Sequence, residues 1–123
     1  MIFQPPMPEE IGLIEGQTPD SKEEWWVALA LWKYDIHFEY QFQIFGGTSR
    51  RGGLIVDFLV FIPMGTPLLV HGNYWHKDEL TGGDTQNYLA IMDYFKQEPI
   101  ILWGSDAQSK EDVEEFVKRE VLI

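Results

Sequence analysis

The chain has 123 residues, a formal net charge of −11 and no cysteine. That length suits one domain around one core and is too short for two, and the missing thiols exclude disulfides and cysteine-ligated zinc. No apolar run reaches the roughly 18 residues of a membrane helix, and Met1–Pro8 lacks the basic start and apolar core of a secretory signal, so a cytoplasmic protein without a membrane partner is expected.

Residues 1–20 hold four prolines and four carboxylates with little periodicity, and read as an extended acidic arm ahead of a domain over residues 21–123. Ser21-Lys-Glu-Glu24 has the form of a capping box, with Ser21 as N-cap and Glu24 three residues later. It opens a helix over about Lys22 to Lys33 whose Trp25, Trp26, Val27, Leu29, Leu31 and Trp32 lie nearly all round, so it should be largely buried.

Ile36, Phe38, Tyr40, Phe42 and Ile44 alternate with polar residues, the two-residue period of a half-buried strand. A Gly-rich tip, Gly46–Gly53, carries the one compact basic pair, Arg50-Arg51. Leu54–Ile62 is then a continuous apolar run, as in a central strand covered on both faces. Pro63-Met-Gly-Thr breaks it, and Pro67–Val70 forms a third strand leading to His71.

After the polar loop Lys77–Gly83, Asp84 can cap a helix from about Thr85 to Gln97, with Tyr88, Ile91, Met92 and Phe95 on one face. Pro99–Trp103 is a fourth short strand, and Ser109 caps a last helix with Val113, Phe116, Val117 and Val121 inward. The order is helix, three strands, helix, strand, helix, without an internal repeat.

Several residues depart from these patterns. Asp57 is a lone carboxylate in an apolar strand, a costly placement unless it is paired, used as a cap or bound to metal. A hard oxygen donor on a rigid strand suits Mg²⁺. His71 and His76 stand five residues apart at the end of the neighbouring strand; each alone is compatible with a structural role, and a neutral imidazole also serves as a general base near pH 7. Glu24 and Asp84 have capping as their simpler explanation. Tyr74 and Trp75 suit either a core or a platform for unstacked bases. His37, on the polar face of the first strand, should be exposed.

Glu24–Trp32, Val56-Asp57-Phe58, His71-Gly-Asn-Tyr-Trp-His76, Asp84 and Ile101-Leu-Trp103 together resemble the very short patch repair (Vsr) endonucleases and related Vsr-like nucleases. The resemblance spans about residues 21–121, and its sharpest piece is the His-Gly-x-aromatic-Trp-His run. It implies a restriction-endonuclease-like α/β fold, a mixed sheet of four to five strands flanked by helices, and Mg²⁺-dependent (or Mn²⁺-dependent) cleavage of DNA. Carried over by position, Asp57 and the backbone carbonyl of Val70 would contact the metal. His76 would be the general base, His71 would contact the scissile phosphate, Glu24 would hold metal-bound water and Asp84 would orient a histidine. Tyr74 and Trp75 would correspond to aromatics that wedge into the duplex. Apart from the resemblance, the compact basic pair Arg50-Arg51 is the expected contact with nucleic acid.

Without cysteine the chain lacks the structural zinc of the repair enzymes, and Gly104 stands where they usually carry an acidic residue. An acid excess this large also opposes non-specific DNA affinity, which comes from Lys and Arg on phosphates. Cations or a basic protein partner would have to offset it. The expectation is a DNA endonuclease or nickase, monomeric or homodimeric. The alternative is a non-catalytic, nuclease-like subunit that binds DNA or protein in a larger assembly.

Overall fold

The computed structural model describes residues 11–44, 54–74 and 81–122. Arg50, Arg51, Trp75 and His76 lie outside the described residues. Within them the fold is α/β, with a four-stranded mixed sheet flanked by three helices. The elements are α1 (Lys22–Lys33), β1 (Phe38–Ile44), β2 (Leu54–Phe61), β3 (Gly65–His71), α2 (Gly82–Phe95), β4 (Ile100–Trp103) and α3 (Lys110–Glu120). Among the described residues no helix is long and apolar enough to cross a membrane.

The strands lie in the order β1-β2-β3-β4. β1, β2 and β3 are antiparallel neighbours, whereas β3 and β4 run parallel, from Leu68↔Ile100 to His71↔Trp103. A parallel pair needs a crossover, and α2 supplies it. The C-terminal ends of β3 and β4 therefore lie side by side, which is where open α/β sheets place their sites.

Two of the helices start where their caps dictate. The Ser21 and Ser109 hydroxyls accept from the Glu24 and Asp112 N–H groups at 3.2 and 3.0 Å, and carboxylates in the first turns favour the positive end of the helix dipole. α1 packs along α3 on one face of the sheet, where Val27, Leu31, Phe58, Leu68, Leu102 and Val117 are fully buried. Among its described residues α2 covers the other face with a single buried side chain, Ile91, over Leu54, Val56 and Leu69.

Four expectations are corrected here. Trp32 is 46% exposed; it packs edge-on to Trp25 and against Phe38 at the rim of the core. α2 starts at Gly82 with Thr81 as N-cap, and Asp84 is the third helical residue of a reciprocal capping box. β3 begins at Gly65, with Pro67 inside it opposite Leu59. The strict alternation of β1 also does not keep to one layer: Phe38 and Tyr40 join the α1–α3 core, while Phe42 and Ile44 pack on the α2 side. The change falls at Gln41, whose φ of 56° is left-handed.

The described half of the acidic arm lies on the domain. Ile14 is fully buried in the main core, and the Glu15 carboxylate accepts from the Tyr40 N–H at 3.1 Å.

Candidate active site

The site begins with a break in the sheet. β2 and β3 pair from Phe61↔Gly65 as far as Phe58↔Leu68, and one step further Asp57 replaces the ladder bond: its Oδ2 accepts from the Val70 N–H at 2.7 Å. At the same level β2 changes layers, Phe58 and Val60 feeding the α1–α3 core and Val56 and Leu54 the α2 side. Divergence of the strands thus leaves one carboxylate in the seam between two layers. Burial pushes the Asp57 carboxyl up to about 6, against the lowering effect of the Val70 bond, with Asp20 adding like-charge repulsion.

Asp57 lines a cavity of about 410 Å³ with Val70, His71, Asp84, Asn87 and Tyr88. His71 ends β3 and stacks on its register partner Trp103, with ring centroids 5.5 Å apart and planes 25° from parallel. The chain then turns tightly, the Tyr74 N–H reaching the His71 carbonyl at 3.0 Å and the Gly104 N–H reaching the Tyr74 carbonyl at 2.7 Å. A Cβ on Gly104 would stand 2.6 Å from the Gly72 carbonyl oxygen, so this close backbone approach requires glycine.

Across the cavity mouth the Tyr74 hydroxyl donates to Asp84 Oδ2 at 2.9 Å, and the Thr81 hydroxyl donates to the same oxygen. These bonds hold the Asp84 carboxyl below the usual range. Burial lowers the His71 imidazole, while nearby Asp84 works in the opposite direction. The ring is therefore neutral near pH 7, with a lone pair available to a proton or a polar ligand.

Glu24 sits on the other side of Val70, in a smaller cleft of about 210 Å³ shared with Asp20, Ser21, Glu23 and Gly72. Its backbone N–H is capped by Ser21 as expected, but its carboxylate turns inward, is 5% exposed and accepts a short hydrogen bond from the Tyr40 hydroxyl. Burial is the main cause that lifts the Glu24 carboxyl to about 7, with Tyr40 opposing and Asp57 and Asp20 adding to it.

The fold thus brings Asp57, Val70, His71 and Asp84 to one cavity and sets Glu24 behind Val70, close enough to Asp57 for electrostatic coupling. Tyr74 is tied to Asp84. Sequence patterns missed Tyr40 as the partner of Glu24, and Asp20 and Gln41 as the partners of the Tyr40 hydroxyl. The one available signal was a phenol on the apolar face of β1, since a buried hydroxyl usually finds a polar partner.

A divalent cation fits this donor set. Mg²⁺ commonly takes one or two carboxylates and keeps waters and substrate phosphates as its other ligands. Asp57 and the Val70 carbonyl are hard oxygens of that kind, both at the same cavity. No group of three or more His, Asp and Glu side chains among the described residues is arranged to hold an ion by itself. Water and substrate oxygens would complete the shell.

No protein-family model, curated protein or solved structure matches the chain.

Proposed function

We propose that this protein is a Mg²⁺-dependent DNA endonuclease or nickase of the Vsr-like, restriction-endonuclease-like kind. The observation that supports this reading is the convergence of a half-buried carboxyl, Asp57, and a neutral imidazole, His71, on one cavity at the end of parallel strands. A bound Mg²⁺ would polarise the scissile phosphate and offset the charge that develops on it.

Asp57 and the Val70 carbonyl hold the cation. Asp57 lies on a central strand and is anchored through Oδ2, so its position is set before substrate arrives. His71, kept in place by the Trp103 ring, meets a phosphate oxygen or its water. Asp84 and Tyr74 border that ring and limit its movement. Glu24 orients water from behind Val70, and His76 is the general base that the resemblance implies. Cations or a basic protein partner offset the acid excess when DNA approaches.

One observation favours a non-catalytic, nuclease-like binding subunit: Asp57 already has a structural task in filling the ladder position at Val70. Asp57→Asn separates the two readings, because its side-chain oxygen keeps that acceptor and loses the charge. Purified protein is incubated with supercoiled plasmid in Mg²⁺ or Mn²⁺, beside Asp57→Asn and His76→Ala. Metal-dependent nicking by the wild type, abolished in both variants, is expected. No cleavage of supercoiled, mismatched, branched or single-stranded DNA by the wild type would overturn the nuclease reading and favour the binding subunit.

A further inference from the structure

The Tyr40 hydroxyl sits where three chain segments meet, and its hydrogen-bonding capacity is full. It accepts from the Asp20 backbone N–H at 3.2 Å and from the Gln41 side-chain amide at 3.3 Å. Two N–H donors leave the phenol hydrogen one destination, the Glu24 oxygen on its remaining side. Donor and acceptor are thereby assigned: Tyr40 gives and Glu24 receives.

Gln41 explains how this arrangement is held. It stands opposite Asp57 in the β1–β2 register, between the Tyr40↔Phe58 and Phe42↔Val56 pairs. Its left-handed φ is rare for a residue with a side chain, and the amide it carries donates to Asp20 Oδ2 at 2.7 Å as well as to Tyr40. The backbone distortion and the clamp thus occur together, one residue from the hydroxyl and directly across from Asp57. Tyr40 itself is 3% exposed.

We infer that Tyr40 is a positioning residue: with Gln41 and Asp20 it turns the Glu24 carboxyl to face the Val70 cleft beside Asp57. This rests on the nuclease reading, in which that cleft adjoins the cation. Tyr40 touches neither substrate nor metal. It acts through Glu24, so removing its hydroxyl has no consequence for the cation once Glu24 is altered.

That dependence is the test. Metal-free protein is titrated with Mn²⁺ by calorimetry, with circular dichroism reporting the fold of each variant. The wild type binds and Asp57→Asn does not. Tyr40→Phe and Glu24→Gln each weaken Mn²⁺ binding about 10- to 100-fold, the usual range for groups that orient a metal's immediate shell. The double variant binds no more weakly than Glu24→Gln alone, the mark of residues acting as one unit. A purely structural role for Tyr40 would give additive losses.

Gln41→Gly is the second variant, because glycine takes the same φ without strain and removes the side chain that carries the amide. It weakens Mn²⁺ binding in the wild-type background and has no effect beside Glu24→Gln. Native affinity in Tyr40→Phe, or additive losses in a wild type that binds Mn²⁺ through Asp57, would overturn the role of Tyr40 and leave the nuclease reading standing. A wild type that binds no Mn²⁺ would overturn both.

Discussion

Glu24→Gln should make the protein more stable, and the gain should depend on pH. The folded protein raises the Glu24 carboxyl from 4.5 to about 7, chiefly through burial, so the native state favours the protonated form. Between those values the native state binds more protons than the unfolded chain, and stability falls as pH rises. The Glu24 contribution to this loss is about 3 kcal/mol once the pH is above 7, at 1.36 kcal/mol per unit. Glutamine has nothing to ionise, and its carbonyl accepts the Tyr40 hydroxyl equally well. The variant should exceed the wild type by no more than about 1 kcal/mol at pH 5 and by about 3 kcal/mol at pH 8. Asp57, whose carboxyl rises to about 6, remains in both proteins and produces a shared decline at lower pH. Urea unfolding followed by tryptophan fluorescence, in EDTA at pH 5, 6, 7 and 8, measures the difference directly. Parallel pH curves for the two proteins, or a variant less stable at pH 8, would refute the argument that burial of this carboxylate is costly.

Three further perturbations test the framework around the site. Phe58→Ala removes a fully buried ring that packs against Phe38 and Tyr40, and should cost about 3–5 kcal/mol in urea unfolding; a loss below about 1 kcal/mol would contradict its central place in the core. Gly104→Ala forces a methyl group onto the Gly72 and Tyr74 carbonyl oxygens, so a loss of about 1–3 kcal/mol is expected, together with plasmid nicking. Wild-type stability in that variant would mean that the 71–74 turn is not latched as described. Thr81→Ala deletes the N-cap of α2 and one hydrogen bond to Asp84, and should cost about 1 kcal/mol. Faster hydrogen exchange at the first-turn amides of α2 should accompany it.

Much of the candidate site was legible at the level of residue choice. A carboxylate between Val56 and Phe58 is conspicuous in an apolar strand, and the histidine at the end of β3 follows from where that strand stops. The surroundings that give these residues their properties were not legible. Glu24 reads as a capping residue because Ser21 lies three positions before it, yet its carboxylate bonds to Tyr40, sixteen positions further on. The start of α2 was obscured by Gly82 and Gly83, poor helix formers that are tolerated here because the Thr81–Asp84 box satisfies the first turn.

Short-range physics in the sequence alone determined the order of the α-helices and strands among the described residues. Hydroxyls at Ser21 and Ser109, apolar spacing in α3, and alternation against continuous apolarity in β1 and β2 each act over a few residues, and each was sufficient for its own segment. Tertiary structure decided the layer into which each strand faces, the parallel pairing of β3 with β4, and the divergence at Asp57 that leaves the Val70 N–H to a side chain. It also decided that Tyr40 donates to Glu24. These outcomes depend on satisfying buried polar groups across distant segments, and residue spacing along the chain does not report the distance between them.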